Sequence, residues 1–227
     1  MDQKEKNLIL QSRLNAGRAI SQAVQKANNK PPLLIQTSGI GYYGDRGDEL
    51  LDESSSAGTG FLADVAIQWE RSVQPLESLG LRIATIRLGV VLGPHGGVIA
   101  RLIPPFRFFL GGHPGSGKQW FPWIHIDDVV AVIRFLMENP DCAGPFNLTH
   151  PNPILSKDFY TLLGKAMHRP AFFPMPAFAL KLVLGEMASE MLLPSIKAVP
   201  QKLLEAGYKF KFPDLSAAIE NIFQKNS

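Results

Sequence analysis

The residues best placed to do chemistry lie in four short clusters. The first is Gln36-Thr37-Ser38-Gly39-Ile40-Gly41-Tyr42-Tyr43-Gly44, two hydroxyls followed by two phenols within a glycine-rich stretch. Ser38 and Tyr42 are its candidate catalytic groups, a hydroxyl and a phenol that could hand protons to a reacting carbonyl or alcohol. For Tyr42 and Tyr43 the favoured structural alternative is a ring packed on the sheet with its hydroxyl satisfied. The second cluster, Leu88-Gly89-Val90, offers backbone groups beside a residue with no side chain. The third, Lys118-Gln119-Trp120, puts a cation, an amide and an indole on a glycine-flexed loop, suited to an acidic or aromatic ligand. The fourth, His125 with Asp127 and Asp128, has the composition of a metal site or a dyad. A helix cap made by an aspartate, with His125 packed in a strand, is the favoured reading, and no metal site is expected.

Two nucleotide-binding spacings occur and both lack their context. Gly39-Ile40-Gly41-Tyr42-Tyr43-Gly44 fits G-x-G-x-x-G, but the acids of Asp45-Arg46-Gly47-Asp48-Glu49 follow where a helix must open toward pyrophosphate. Gly112 to Lys118 fits G-x-x-x-x-G-K. Gln119 then replaces the hydroxyl residue that would hold magnesium, and an aromatic run replaces the helix. Cys142 is the single cysteine, which excludes an intrachain disulfide and a multi-cysteine metal cluster.

The elements that must position these residues read as an alternating α/β chain. Leu8, Leu10, Leu14, Ile20 and Val24 give residues 3–27 a helical stripe, so the chain begins inside a long helix. Leu33-Leu34-Ile35 is a short buried strand whose exit emits a loop over 41–60. Leu62, Val65, Ala66, Trp69, Val73 and Leu76 mark the next helix, shortened by Pro75 and closed by Gly80. Residues 81–88 form a strand, 98–110 a helix interrupted by Pro104-Pro105, and 123–126 a strand. Asp127 or Asp128 caps a helix through Met137. Residues 145–148 form a strand, and Ser156 caps a helix to Met167. Helices over 177–193, 200–206 and 214–223 complete the chain, their Met and Phe side chains expected to fill a core. Strand, helix and strand in alternation predict a Rossmann-like doubly wound parallel sheet. Residues 1–150 would form that partial nucleotide-binding domain, with some of 89–122 contributing to a small, mostly helical substrate lobe over 151–227.

Four segments in order resemble extended short-chain dehydrogenases of the NAD(P)-dependent epimerase/dehydratase family. They are the strand exit 36–44 with Glu53 nine residues beyond it, Arg87 to Pro94, Trp123 to Val130, and Gly144 to Thr149. The doubled Tyr42-Tyr43, the Gly-Pro-x-Gly-Gly of 93–97, Gly117 to Trp120 and Ala171 to Pro174 are similar to an atypical branch called "epimerase family protein". Some of its members carry a SulA-like cell-division label. The resemblance implies NADP or NAD as cofactor in a complete form. Thr37, Ser38, Leu88, Gly89 and Val90 would then lie beside it, and Lys118, Gln119 and Trp120 beside the substrate. It also implies that the first strands, with their phosphate loop, precede this chain, on the order of 70–80 residues. The chain alone is accordingly expected to bind cofactor weakly or not at all.

The family's Tyr-x-x-x-Lys pair falls on Phe61 or Leu62 and on Val65 or Ala66, so that acid/base chemistry is absent. The Ser/Thr position falls on Gly39. The arginine that grips a sugar-nucleotide phosphate falls on Phe121, which argues against a nucleotide-sugar substrate. Two functions therefore stand side by side. One is an oxidoreductase or epimerase acting with a nicotinamide cofactor on an unidentified small molecule. The other is a non-catalytic regulatory or interaction protein with a protein partner, for example in cell division. The charge of +3 is scattered without a Lys/Arg run, and no apolar stretch approaches about 18 residues. Neither nucleic acid nor a membrane is expected as partner. The cytoplasm is the expected location, or the plastid stroma in a plant.

Overall fold

A computed structural model describes residues 1–94 and 96–224; His95, the variable position of the Gly-Pro-x-Gly-Gly motif, lies outside them. Helix α1 (Gln3–Lys26) opens on a capping box, Glu5 N–H donating to Asp2 Oδ1 at 2.7 Å and Asp2 N–H to Glu5 Oε2 at 2.9 Å. Strand β1 (Leu33–Gly39) is more than twice the expected length, because Gln36, Thr37, Ser38 and Gly39 continue the ladder past its apolar start. A tight turn over Ile40–Tyr43 and the short β2 (Leu50–Leu51) lead to α2 (Phe61–Arg71). A 3-10 stretch holding Pro75 follows and closes on Gly80, whose φ of 81° is the left-handed turn that glycine accepts.

Strand β3 (Arg82–Leu88) runs across Gly89 into β4 (Val90–Leu92), and α3 (Gly97–Arg107) carries Pro104 and Pro105 inside it. Then come β5 (Trp120–Phe121), β6 (Trp123–His125), α4 (Ile126–Glu138), β7 (Gly144–Leu148), β8 (Ile154–Leu155) and α5 (Ser156–Ala166). Helix α6 (Ala177–Leu184), β9 (Lys197–Ala198), α7 (Gln201–Glu205) and α8 (Leu215–Gln224) complete the described chain.

The main sheet has the order β1-β3-β7, all parallel, with Ser38 opposite Arg87 and Arg87 opposite Asn147. Past Gly89 the same line continues as a parallel β4–β6 pair. One face, through Leu34 and Ile83, packs on Val24 of α1 and on Val73 and Leu76. The other, through Ala84, Ile86 and Phe146, packs on Val129, Val132 and Leu136 of α4. Helices on both faces make this the doubly wound arrangement. A second apolar cluster joins Ile99 and Phe106 of α3 to Phe159 and Leu163 of α5 and to Ile219 and Ile222 of α8.

Three local expectations need correction. His125, not an aspartate, caps α4, its Nδ1 accepting from Asp127 N–H at 3.1 Å. The aspartates instead clasp the returning chain, Asp128 Oδ1 accepting from Lys211 N–H at 2.8 Å while Asp127 pairs with Lys211 Nζ at 2.6 Å. Ser156 is the first residue of α5 and makes no side-chain cap. The tail's Met and Phe residues do not all fill a core: Phe172, Phe173, Phe178, Met187 and Met191 are exposed.

Candidate active site

At the carboxyl ends of the three parallel strands, where open α/β sheets receive ligands, a row of polar side chains crosses the sheet. Ser38, Arg87 and Asn147 stand in register one residue before the last residues of β1, β3 and β7. All three are buried, so each must find partners within the protein. Glu70 of α2 supplies most of them. It accepts from Ser38 Oγ at 2.8 Å, from Arg87 Nε at 3.0 Å and from Arg87 Nη2 at 2.9 Å. Burial alone would lower the Arg87 pKa, but the Glu70 bonds outweigh it and hold the guanidinium charged, with Tyr43 adding to them.

The two tyrosines finish the network. The Tyr42 ring lies 3.4 Å from the Arg87 guanidinium carbon, a stacked cation–π contact. The Tyr43 hydroxyl accepts from Arg87 Nη1 at 3.0 Å and sits 2.7 Å from the Asp52 carbonyl and 2.9 Å from Asn147 Oδ1. Burial pushes the Tyr43 pKa up to about 12 although Arg87 pulls it down, so this phenol keeps its proton at neutral pH. Asn147 Nδ2 donates to the Val199 carbonyl, which fixes which way the amide faces.

Glu53 closes the outer edge of β7. It accepts from the backbone N–H groups of Asn147 (2.9 Å) and Lys202 (3.2 Å), and burial raises its pKa in spite of those bonds. The carboxylate thus takes the place of a neighbouring strand.

Next to this network, a cavity of about 100 Å³ opens between the Gly41–Gly44 turn, Leu62 and Ala63 at the start of α2, and the 189–196 segment. The first amides of α2 have no cap from Gly60; Glu190 Oε2 accepts from Leu62 N–H at 2.9 Å instead, a carboxylate on the positive end of a helix. Among the described residues it lines the cavity together with Asp45 and Ser189.

Ser38 is placed in the polar row, while Thr37, on the opposite face, is exposed. Leu88, Gly89 and Val90 are half-buried at the strand tip. The side chain that Gly89 lacks would meet the Pro122 carbonyl oxygen at 2.3 Å, so close backbone packing by itself demands glycine here. Lys118 is exposed, Gln119 Nε2 donates to the Pro114 and Leu192 carbonyls, and Trp120 Nε1 donates to Asp48 at 2.7 Å beneath Lys197 Nζ. Gln119 and Trp120 therefore tie three loops together. Phe121 stacks on Phe159 at 4.3 Å, and Val65 and Ala66 are buried in α2.

Sequence reasoning missed Glu70 and Glu190. Glu70 was legible: it falls seven residues after Ala63 and four after Ala66, an acid on the buried stripe of α2 facing Arg87, the arginine at the far end of an otherwise apolar run from Ile83 to Ile86. Glu190 gave no such signal, since its partner lies 128 residues away.

The chain matches the NAD dependent epimerase/dehydratase family over residues 2–148 and a domain of unknown function over 175–222. It is 38% identical over 221 residues to epimerase family protein YfhF of Bacillus subtilis, covering 97% of this chain and 72% of YfhF. The chloroplastic SDR39U1 homolog of Arabidopsis thaliana is 39% identical over 212 residues, with 91% of this chain and 60% of that protein covered. Among solved structures, human epimerase family protein SDR39U1 (isoform 2) with NADPH superposes at a TM-score of 0.94. It shares 32% identity and covers 99% of this chain and 76% of its own. With that match across the whole sheet and these relatives, the chain belongs to the NAD dependent epimerase/dehydratase family.

Proposed function

We propose that this chain is a nicotinamide-cofactor protein, taking NADPH or NADH, that acts on a small molecule bound at the carboxyl end of its sheet. The observation that carries this is the human relative solved with NADPH, which shares the fold over 99% of this chain. The described residues fit one end of such a cofactor and not the other. Thr37 is open to solvent at the tip of β1 and Leu88 to Val90 are partly open at the tip of β3, an apolar and backbone surface for a flat ring. No strand-turn-helix phosphate cradle is present among the described residues, because a 3-10 turn and the polar 45–49 loop follow Gly39. When bound, the nicotinamide would supply or accept a hydride. The chain's own part is to hold and orient: Arg87 and Glu70 fix the polar row, Ser38 is locked by Glu70, and Tyr42 is the phenol left half-exposed above it. Lys118 to Trp120 would border the substrate side, and the helical region from 151 on would form the lobe over it.

Glu190 is the ionisable group in the cavity nearest the start of α2, where the family's tyrosine would stand. A second reading, a regulatory protein without catalysis, is favoured by the missing Tyr–Lys pair and by a Tyr43 hydroxyl held protonated. Fluorescence titration with NADPH, NADH and reduced nicotinamide mononucleotide separates the two. Recognition through the ring end predicts binding of all three, with the mononucleotide losing little against NADPH. No binding of any of them at millimolar concentration, either by this chain or by a form extended at its N-terminus by the segment that carries the family's phosphate loop, overturns the cofactor reading and leaves the regulatory one.

A further inference from the structure

The cavity beside the Gly41–Gly44 turn is lined by two acids, Asp45 and Glu190, and by no Lys, Arg or His among the described residues. Glu190 reaches it from an unusual piece of backbone. Residues 188–192 form a single π turn, closed by Leu193 N–H donating to the Ala188 carbonyl at 3.1 Å. Such turns are rare and concentrate at functional sites. This one is pinned on both sides: Ala188 is fully buried, and the Leu192 carbonyl accepts from Gln119 Nε2 at 3.3 Å. The carboxylate between those anchors is thereby held at the first turn of α2.

The two oxygens of Glu190 have different duties. Oε2 accepts from Leu62 N–H, so the positive end of α2 already carries a carboxylate of the chain itself. Oε1 has no hydrogen bond among the described residues. It lies over Gly60, where a Cβ would stand 3.2 Å from it, so the residue beneath it is one with no side chain to cover it. Asp45 is arranged alike: Oδ1 accepts from Gly47 N–H and Ser195 N–H, both at 3.2 Å, and Oδ2 has no partner among the described residues. Each acid is therefore held by backbone amides through one oxygen and keeps the other for a ligand. Lys6, whose Nζ is 5.5 Å from the Phe61 ring at the start of α2, is paired with Glu186 at 2.6 Å and does not line the cavity.

We propose that this cavity receives the protonated amine end of a small molecule, with Glu190 Oε1 and Asp45 Oδ2 as its acceptors and the Ser189 hydroxyl beside them. A phosphate or carboxylate end would meet two like charges in a partly enclosed space. A neutral alcohol has one proton to donate, whereas an ammonium brings three donors and a compensating charge. A divalent metal asks for a larger set of oxygen ligands, and the described residues hold no group of three or more His, Cys, Asp or Glu able to bind one. At about 100 Å³ the space is smaller than the roughly 150 Å³ that holds a benzene ring, so it admits an end of about four non-hydrogen atoms. The inference deepens the proposed function by naming one end of the substrate; it rests on the reading that a small molecule binds there and needs no cofactor.

The test is an amide NMR titration of the chain with three probes of equal size, ethanolamine, ethylene glycol and acetate, at constant ionic strength. Ethanolamine, protonated at neutral pH, should move the amides of Gly44, Leu62 and Ala63 with a Kd at least about tenfold below that of ethylene glycol. Acetate should leave them in place. Glu190→Gln and Asp45→Asn keep an oxygen for the same backbone amides and remove the charge. Each should raise the ethanolamine Kd about tenfold and leave the ethylene glycol Kd within about twofold. Asp158→Asn, which changes an exposed acid of α5 outside the cavity, should alter neither. Unfolding midpoints measured in parallel should show every variant folded at the titration temperature. Equal Kd values for ethanolamine and ethylene glycol, no ethanolamine shift, shifts confined to other amides, or an ethanolamine Kd that both cavity variants leave unchanged overturns the proposal. Because the titration contains no nicotinamide, its failure leaves the cofactor reading standing, and failure of the cofactor titration leaves this one.

Discussion

Arg87→Met removes the centre of the polar row and makes the sharpest test of how the strand ends are held. Arg87 is 4% exposed and Glu70 13%. The substitution deletes two charge-assisted bonds to Glu70, one bond to the Tyr43 hydroxyl and the stacked contact with Tyr42. The bonds are not the main loss. Glu70 is left as a nearly buried carboxylate with only Ser38 donating to it, and an uncompensated buried charge of this kind costs about 3–5 kcal/mol. With a urea slope of about 2 kcal/mol per molar, the unfolding midpoint should fall by roughly 1.5–2.5 M. Glu70→Met should cost a similar amount by stranding the guanidinium. The double variant, with no charge left to strand, should recover most of the loss, so the two single effects should be far from additive. Urea unfolding followed by tryptophan fluorescence reads all four proteins. A single-variant cost below about 1 kcal/mol, the size of an exposed ion pair, or a double variant equal to the sum of the singles, would refute the claim that this pair is a desolvated anchor.

Three other outcomes follow from the same contacts. Gly89→Ala should destabilise by about 1–3 kcal/mol, because its methyl group collides with the Pro122 carbonyl and the backbone must shift; a variant of parental stability that loses only NADPH binding would instead make Gly89 a cofactor residue. His150 is buried with Nδ1 accepting from Asn152 N–H at 3.1 Å, so its Nε2–H donates to the Phe212 carbonyl. Burial lowers its pKa below the ordinary 6.5, which means the unfolded chain takes up the proton first. Its contribution is thus complete above about pH 6.5 and is lost as the pH falls through the depressed value. Thermal midpoints of the parent and of His150→Gln across that range should converge on acidification; parallel curves would rule the histidine out. Glu53→Gln turns one carboxylate oxygen into a donor facing a backbone N–H and should cost about 1–3 kcal/mol. Hydrogen exchange should speed up at Asn147 and Lys202, and unchanged protection there would contradict the strap.

How much of this was legible in the sequence depends on distance along the chain. The alternation of strands and helices follows from apolar periodicity, and the chain does fold as a parallel sheet with helices on both faces. The motif matches that failed for lack of a following helix were rightly set aside, since a 3-10 turn follows Gly39 and β5 follows Lys118. Boundaries suffered where polar residues continue a ladder: Thr37 and Ser38 read as the exit after the apolar run, but their backbone still pairs with Ile86 and Arg87. The cap of α4 went to His125 because an imidazole nitrogen accepts as well as a carboxylate, while both aspartates had cations or amides from 208–211 to satisfy. Gln119 and Trp120, expected beside the substrate, also tie loops together, a role that only Leu192, Ser195 and Asp48 reveal. The candidate site was thus readable where partners are local and hidden where they are remote.

The remoteness of Glu53 and Glu190 from their partners also bears on how the chain is made. The β7 edge is sealed by a carboxylate that also needs the backbone of Lys202, and the first turn of α2 waits for Glu190. A ribosome adding about 5–20 residues per second needs roughly 6–25 s to carry the chain from Leu62 to Glu190. During that interval the nascent sheet has an open edge and a frayed helix, the state in which an unpaired strand is most exposed to a wrong neighbour. The arrival of residues 190–202 closes both sites together, so the C-terminal segment acts on the growing chain as a latch.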